Sequence, residues 1–587
     1  MRSTVQCIVT AKDAKQAVIG SSDLCSALCA PGEIFFGANA PLPLRLTVKL
    51  LGCLILAFWT ATVFAAALEN TAAQPAAAAA GGDTIFINEY RVNGARKLPR
   101  RVIEEAVYPY LGPGRTKEDV EQARAALEQV YAAQGFQTVA VQIPAQLPAQ
   151  VKRGVICLQV VERTVGRLRV KGAQYSSPNR IKAMTPSLAE GSVIDFNQVP
   201  ADIVALNQLP DRQVTPSLRA GVESDTVDVD LEVKEKAPLH ASVELDNRHG
   251  PNTTPLRLTG SVSANNLWQA GHGAGLTYQT SPQNTSEVKV FSGYYLARFS
   301  QIDWLTLMLN GTKQDSNVST LGSAAVAGRG TTVGVRAMFA LPGEKEFSQS
   351  ASAGLDYKHF DQTINLAPTP TSPAATVVTP ITYYPLSAAY GATWQKDKRG
   401  TTELNVGVTF HLRGVGSKSA TFNNSRFAAD SNFLVFHGDL SRTQELPAGL
   451  QLFGKVQGQI ADQPLLSGEQ YAGGGQGTVR GYLEAEQVGD SGVFGTVELR
   501  SPPLLGLFGA KKGDWRIYAF ADAGWLKVID PLTDQKNHFD FLSYGIGSRL
   551  QLFDHFDGSV TASIPQLKQG QTKAHDTRVT FQAGLNY

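Results

Sequence analysis

The sequence predicts a mainly β protein, a 16-stranded antiparallel transmembrane β-barrel preceded by two small α+β domains. Three observations carry this. From Leu239 to Tyr587, apolar and polar residues alternate in segments of roughly ten residues, as membrane-crossing strands require. About sixteen such segments occur, an even number, and the connections between them alternate between short and long. Upstream of them, one short pattern occurs twice, 78 positions apart.

Taken in chain order, the first segment is a leader. Arg45 and Lys49 precede an apolar run at 50–64 that ends in Ala65, Ala66 and Ala67, the basic, apolar and small-residue parts of a secretory signal peptide. A single membrane anchor is the competing reading, disfavoured by the linker-like stretch from Ala72 to Gly82. Leu50 to Cys53 resemble a lipoprotein box, but the apolar run continues past Cys53. Residues 1–67 read as leader and 68–83 as linker. Cys7, Cys25, Cys29 and Cys53 fall in the leader, so Cys157 is left alone, without an internal disulfide or a cysteine zinc site. Export without disulfides fits a Gram-negative envelope protein.

Composition narrows the function. The net charge is +2 and lysine and arginine are thinly spread, so there is no clustered basic face and nucleic acid is not an expected partner. The 9 histidines show no metal-ligand spacing, no nucleophile groups with a base, and no Gly-x-x-x-x-Gly-Lys-Ser/Thr phosphate loop is present. No enzymatic activity, cofactor or metal is expected.

The repeat lies at 84–162 and 163–237. Tyr90 to Ala95 recurs as Leu168 to Ala173, each a short strand running into a glycine turn. In the first copy, Val120, Ala123, Leu127, Val130 and Tyr131 recur at helical spacing within 116–134, and Gly135 stops the helix. Strands follow at 137–143 and 155–161, and in the second copy at 213–220 and 226–233. The order β-α-α-β-β, twice, gives two small α+β domains.

From 238 onward the period is two. Val579, Phe581, Ala583, Leu585 and Tyr587 face one way, and Arg578, Thr580, Gln582 and Asn586 the other. A soluble sandwich alternates in the same manner, so the loops decide. Short connections at 267–271, 298–300, 342–348 and 553–556 alternate with longer ones at 314–329, 360–382, 414–428, 462–491 and 525–540. Short turns at one rim and long loops at the other are the mark of a transmembrane barrel. Only a closed barrel satisfies every strand edge in lipid.

Two charges stand out. Arg480 lies in the glycine-rich run Gly473 to Tyr482, and Asp522 lies in the apolar segment Phe520 to Gly524. A charge held away from bulk water needs a partner. The residues alone leave two readings open: a pair inside the barrel, or separate solvated groups.

These residues resemble the two-partner secretion outer-membrane transporters (TpsB type), the haemolysin secretion/activation proteins. They belong to a superfamily of barrels carrying polypeptide-transport-associated (POTRA) domains. The resemblance rests on Tyr131, Gly135, Phe136 and Pro144 to Gln146 in the first domain. In the barrel it rests on Asp246 and Asn247, Gly473 and Gly474, Val479 to Tyr482, Gly489 to Gly492, and Phe520 to Gly524. It implies that the loop 462–491 folds into the barrel and that Arg480 pairs with Asp522 of the thirteenth strand. Val479, Arg480, Gly481, Tyr482, Phe520, Asp522 and Gly524 then form a transport latch. It also implies a secreted exoprotein as substrate, captured unfolded by the periplasmic POTRA domains. Outer-membrane lipid and the barrel-assembly machinery are the other partners. Strand Gln213 to Ala220 is a candidate capture edge or simply structural, and both readings stand. Some relatives carry an amino-terminal plug helix; the short linker here leaves little room for one, so the inward loop is expected to be the main obstruction. Alternatives to secretion are insertion of other barrel proteins and, less well supported, a passive porin.

Overall fold

The computed structural model describes residues 84–299, 302–319, 326–344, 346–366, 375–396, 399–509, 512–533 and 535–587. The signal segment at 50–64, the linker at 68–83 and the four leader cysteines lie outside the described residues.

The repeat in the sequence is a repeat in structure. The first copy runs β1 (Ile85–Ile87), β2 (Glu89–Asn93), α1 (Arg100–Val107), β3 (Gly112–Arg115), α2 (Lys117–Ala133), β4 (Val139–Gln142), α3 (Pro148–Val151) and β5 (Val155–Glu162). The second runs β6 (Thr164–Lys171), α4 (Pro178–Ala183), α5 (Val199–Leu206), β7 (Arg212–Ala220) and β8 (Thr226–Glu235). Each forms a three-stranded sheet, ordered β2-β5-β4 and β6-β8-β7, with its last strand parallel to the first in one case and likewise in the other. Gly94 and Gly172 end the first strand of each copy at φ +83° and +81°. A Cβ at either would strike the carbonyl oxygen of Val160 or Val233, so the repeated glycine is a steric requirement. The pairing of β1 with β3 adds a small sheet to the first copy that the repeat does not predict.

Helix α2 forms where the spacing predicts. Thr116 caps it by accepting from Asp119 N at 3.3 Å, while Asp119 Oδ2 accepts from Thr116 N at 2.7 Å. Its apolar stripe, including Leu127 and Tyr131, is buried against Val139, Leu158 and Val160. Gln146 extends the sheet beyond β4 by bonding Cys157 N and O with its side-chain amide, at 2.9 Å each. Cys157 is a free thiol.

The barrel strands are β9 (Leu239–Asp246), β10 (Arg257–Leu267), β11 (His272–Thr280), β12 (Val288–Phe299), β13 (Ile302–Ser319), β14 (Val326–Glu344), β15 (Phe347–Leu366), β16 (Ala375–Tyr383), β17 (Leu386–Lys396), β18 (Gly400–Phe410), β19 (Leu434–Glu445) and β20 (Gln451–Ala461). Helix α6 (Ser419–Ser425) lies between β18 and β19. A small inner hairpin, β21 (Tyr471–Gly473) with β22 (Gln487–Gly489), precedes β23 (Ser491–Arg500). β24 (Gly513–Lys527), β25 (His538–Leu552), β26 (Phe556–Pro565) and β27 (Arg578–Asn586) complete the wall.

Segments β16 and β17 pair with β15 in one continuous register, broken only at Tyr384 and Pro385, where proline has no amide hydrogen to donate. They are one strand, and the closed antiparallel barrel has 16. Residues on one side of each strand, such as Val243, Leu276, Ile546 and Leu585, are apolar and exposed, as a lipid-facing wall must be. Their neighbours Glu244, Thr277, Gly545 and Gly584 turn inward.

Two of the expected long loops are mostly strand. β13 and β14 run on to Ser319 and back from Val326, and β15 and β16 to Leu366 and back from Ala375. In β13 the run Gln314 to Ser319 holds one apolar residue and no alternation, so it reads as loop. The short turns lie at the end that carries the α+β units. There Gln269 in the β10–β11 turn accepts from Ser177 N at 2.9 Å, and Asn265 donates to Asp211 at 2.6 Å.

The barrel closes where β27 meets β9, over five paired positions from Gln582–Asp246 to Asn586–Ser242. Tyr587 and Ala241 extend the pairing at one end with reciprocal amide bonds of 2.8 and 3.0 Å. At the other end the Asn247 side chain substitutes for backbone, donating to Val579 O at 2.9 Å and accepting from Phe581 N at 2.8 Å. Asn247→Ala removes both bonds, each contributing about 0.5–1.5 kcal/mol. The expected outcome is faster amide hydrogen exchange at Phe581, with the amides of the β25–β26 pairing unchanged.

Candidate functional site

The connection 462–491 does not stay outside. It enters the barrel as β21, turns at 474–486 and leaves as β22, and Gly473 packs against the lumen-facing Phe494, Leu526 and Phe541. At its tip Gly481 has φ +94°, and a Cβ there would lie 3.1 Å from that of Ser563. Only glycine permits both the turn and this approach to the wall.

Arg480 meets Asp522 as a fork. Nε donates to Asp522 Oδ2 and Nη2 to Oδ1, both at 2.7 Å, and the Arg480 backbone N–H adds a 3.0 Å bond to Oδ2. The remaining Nη1 donates to Glu498 Oε1 at 2.5 Å. The side chains of Arg480, Asp522 and Glu498 are 4%, 0% and 3% exposed, which removes this cluster from the class of weak surface bridges. The guanidinium also lies 3.6 Å from the centroid of the Phe520 ring, a cation–π contact beneath the fork.

One arginine between two carboxylates leaves an excess negative charge. Arg500 and Arg549 compensate it from the wall: Arg500 reaches Glu498 Oε2 at 2.7 Å, and Arg549 reaches Glu498 Oε1 at 3.3 Å. Their side chains are 19% and 43% exposed, so charge is passed stepwise from the dry cluster to the wet lumen.

The Phe-x-Asp-x-Gly segment works through its period. Phe520, Asp522 and Gly524 all face inward on β24, while Ala521 and Ala523 face lipid. Gly524 leaves room for Phe494, which packs on Tyr471 at 5.3 Å and Phe541 at 5.8 Å between ring centroids. Val479 is buried in that same aromatic cluster. The Tyr482 hydroxyl donates to Leu567 O at 2.9 Å and accepts from Leu567 N at 3.2 Å, tying the tip to the β26–β27 connection. All seven residues expected in the latch are thus brought to one place.

Three acids in this region carry parts that the sequence reading did not assign. Glu498 is the second partner of Arg480. Glu486 accepts from Leu483 N at 2.8 Å, Gln571 N at 2.8 Å and Thr572 N at 2.7 Å, joining the loop to the β26–β27 connection. Asp490 accepts from Leu465 N at 2.9 Å and Ile529 N at 2.7 Å and is wholly buried, gathering two outer connections at the loop base. The signal for Glu498 is the spacing Glu498-x-Arg500, which puts opposite charges on the same face of a strand.

Below the loop tip is a cavity of about 590 Å³ lined by Gln476, Arg500, Arg516, Tyr518, Arg549 and Gln582, among others. The carboxylates of Glu244, Asp514 and Asp557 line it beside these arginines. Among the described residues no group of three or more histidine, cysteine, aspartate or glutamate side chains is placed to hold a metal ion. The candidate edge Gln213 to Ala220 lies in β7, an edge strand of the second sheet, with Pro216 in its middle.

Arg480→Ala strands the buried Asp522 without its cation, a loss of about 3–5 kcal/mol for a broken buried pair, while Glu498 keeps Arg500 and Arg549. The expected outcome is protease cleavage within 474–486 of the purified protein in detergent, where the unaltered protein resists. Arg480→Lys keeps the charge without the fork and falls between the two.

Comparison with known proteins places this geometry. The family model for haemolysin secretion/activation protein ShlB/FhaC/HecB matches residues 225–550, more than half of the chain, and so includes Arg480, Glu498, Asp522 and Arg549. A POTRA domain model of the ShlB type matches residues 85–163. Heme/hemopexin transporter protein HuxB of Haemophilus influenzae is 21% identical over 348 residues, 59% of this chain and 60% of that protein, so less than two thirds of the relative's length is matched. CdiB from Escherichia coli superposes with a TM-score of 0.63 at 18% identity, covering 94% of this chain and 100% of that chain. CdiB from Acinetobacter baumannii gives 0.55 at 13% identity over the same shares. At such identities these structures speak for the fold alone. The chain belongs to the ShlB/FhaC/HecB family of haemolysin secretion/activation proteins, as an outer-membrane β-barrel with POTRA structure on its periplasmic side.

Proposed function

We propose that this protein is a two-partner secretion transporter that carries one partner exoprotein from the periplasm to the cell surface. The observation that carries the reading is the buried Arg480–Asp522–Glu498 cluster, which holds an inward loop across the lumen of a barrel with α+β units at its periplasmic end. A simple pore for small solutes has no use for either. The barrel-assembly machinery would insert the chain into outer-membrane lipid.

The domains 84–162 and 163–237 capture the unfolded cargo, and the barrel 238–587 conducts it. Capture by added strand pairing would read main chain more than side chains. Pro216 interrupts the donors of the Gln213 to Ala220 edge, so a groove beside that edge serves better than continuous pairing along it. Val479, Arg480, Gly481, Tyr482, Phe520, Asp522 and Gly524 act as the latch, and cargo passes once the loop yields. No catalytic step is assigned. Cargo folding outside the cell supplies the drive, because the periplasm holds no ATP.

A second reading, insertion of other barrel proteins through the β9–β27 closure, draws on that closure having only five paired positions. The two readings part in a deletion strain. Loss of one exoprotein from the medium supports secretion, and general depletion of outer-membrane barrels supports insertion. If a neighbouring large exoprotein is still secreted normally, the transport reading is lost. In a complemented strain, Arg480→Ala is expected to cut secretion by about tenfold or more, the effect of 1.4 kcal/mol or more on an equilibrium. Barrel abundance in the membrane, read by immunoblot, stays unchanged; normal secretion by this variant removes the latch from the mechanism.

A further inference from the structure

The inward loop is latched at its tip to one arc of the wall. Its latched tip touches β20 and β23 to β26. The adjoining sector, β15 to β20, is lined by the loop base and by the connection that carries α6.

That sector carries an apolar cluster on the inner face of the wall. Away from this cluster and the aromatic cluster around Phe494 and Phe541, inner-wall positions such as Glu403, Asn405, Asp439, Gln457 and Gln459 are polar. At the outer end of the same strands, however, Phe360, Ile381, Tyr383, Phe433 and Val435 are buried. Their positions follow from register. Tyr383 pairs with Lys358, and Phe360 lies two residues further on that face; Val435 pairs with Ala461. The lipid-facing partners of these strands, Leu355, Val406 and Phe436, are exposed instead.

Phe422 of α6 fills this cluster. It is fully buried, with its ring 5.8 Å from Tyr383 and 5.8 Å from the buried His411. Leu465 and Leu466, from the base of the inward loop, pack in the same cluster. Polar ties hold the segment around α6 in place. Ser417 N donates to Thr382 O at 2.8 Å, Arg426 donates to Ile529 O at 3.1 Å, and Gln463 donates to Asp430 O at 2.7 Å. Beneath it, Glu469 accepts from Tyr383 at 2.8 Å and from Lys358 at 2.5 Å. A connection between two strands has therefore folded inward and been sealed with apolar side chains. Exposed apolar surface of this kind would be unfavourable in a water-filled pore.

We infer that α6 is a second plug, an outer gate distinct from the Arg480 latch, and that Phe422 seals it. Release of the latch alone leaves the β15–β20 sector closed. Only the release step under cargo rests on the secretion reading; the sealing role does not.

Single-channel conductance of the purified protein in planar lipid bilayers tests the seal without any cargo. Phe422→Asp and deletion of 417–428, each checked for a heat-modifiable folded barrel, are expected to raise conductance severalfold with Arg480 intact. Adding Arg480→Ala is expected to raise it further. Conductance of both variants equal to that of the unaltered protein overturns the inference. For the release step, Phe422→Cys with Tyr383→Cys in a Cys157→Ser background is joined by a short, reducible bis-thiol reagent. Linked protein is expected to lose secretion and regain it on reduction. Undiminished secretion by linked protein overturns the release step. If the unaltered protein secretes nothing, the proposed function fails while the conductance result still judges the seal.

Discussion

The structure turns on one guanidinium held away from water. Arg480 uses Nε, Nη1 and Nη2, and its own backbone N–H, on two carboxylates that are themselves buried. Each member would be costly to leave alone in that place. The loop can therefore sit inside the barrel only in the register that completes the cluster, and the lumen must supply Asp522 and Glu498 on adjacent strands at matching height. Thr496 pairs with Asp522 across β23 and β24, so Glu498 stands one inward position along from the direct partner, within reach of the same fork.

The need to house that fork explains much of the local sequence. An arginine and three aromatic rings occupy one side of a barrel wall, and the opposing strand gives way to them. Gly545 lies where a Cβ would come within 2.7 Å of the Phe520 ring. Gly481 and Gly524 do the same for the loop and for Phe494. Close packing between a wall and an inserted loop resembles the interior of a soluble domain more than the face of a pore. The latch is thus a small core built inside a barrel, with charge at its centre.

Much of this was legible in the sequence, and the remainder was hidden for identifiable reasons. Period-two alternation gave the strands wherever one face meets lipid and the other meets the lumen. It failed at 314–319, where the sequence has no apolar alternation, and at 360–366, where three polar residues separate Phe360 from Ile364. The repeat at Gly94 and Gly172 was readable because the same steric demand recurs in both copies. The Arg480–Asp522 pairing came from resemblance, since forty residues of intervening chain conceal which charges meet. Glu498 went unassigned because an inward-facing glutamate on a barrel strand is ordinary until its partner is known. The loop was expected to be the main obstruction; we propose that α6 shares that part, and Phe422 among small polar residues gave no sign that its connection folds inward.

The two obstructions differ in kind, and the difference bears on how such a barrel could open. An ion cluster that is complete is close to break-even against apolar packing, whereas one with a member missing is strongly unfavourable. Such a contact is stiff when intact, yet it can be exchanged for other charged or hydrated partners at little net cost. Arg549, the most exposed member of the cluster, lines the cavity below the loop and is the part that arriving charge meets first. The Phe422 cluster has no comparable substitute partner in water, because apolar contacts weaken only by being wetted. The latch is therefore suited to respond to the chemistry of what enters from the periplasm, and the outer plug to hold until something physically displaces it. Leu465, Leu466 and Asp490 stand at the base of the loop that carries the latch, so one connection contributes residues to both clusters.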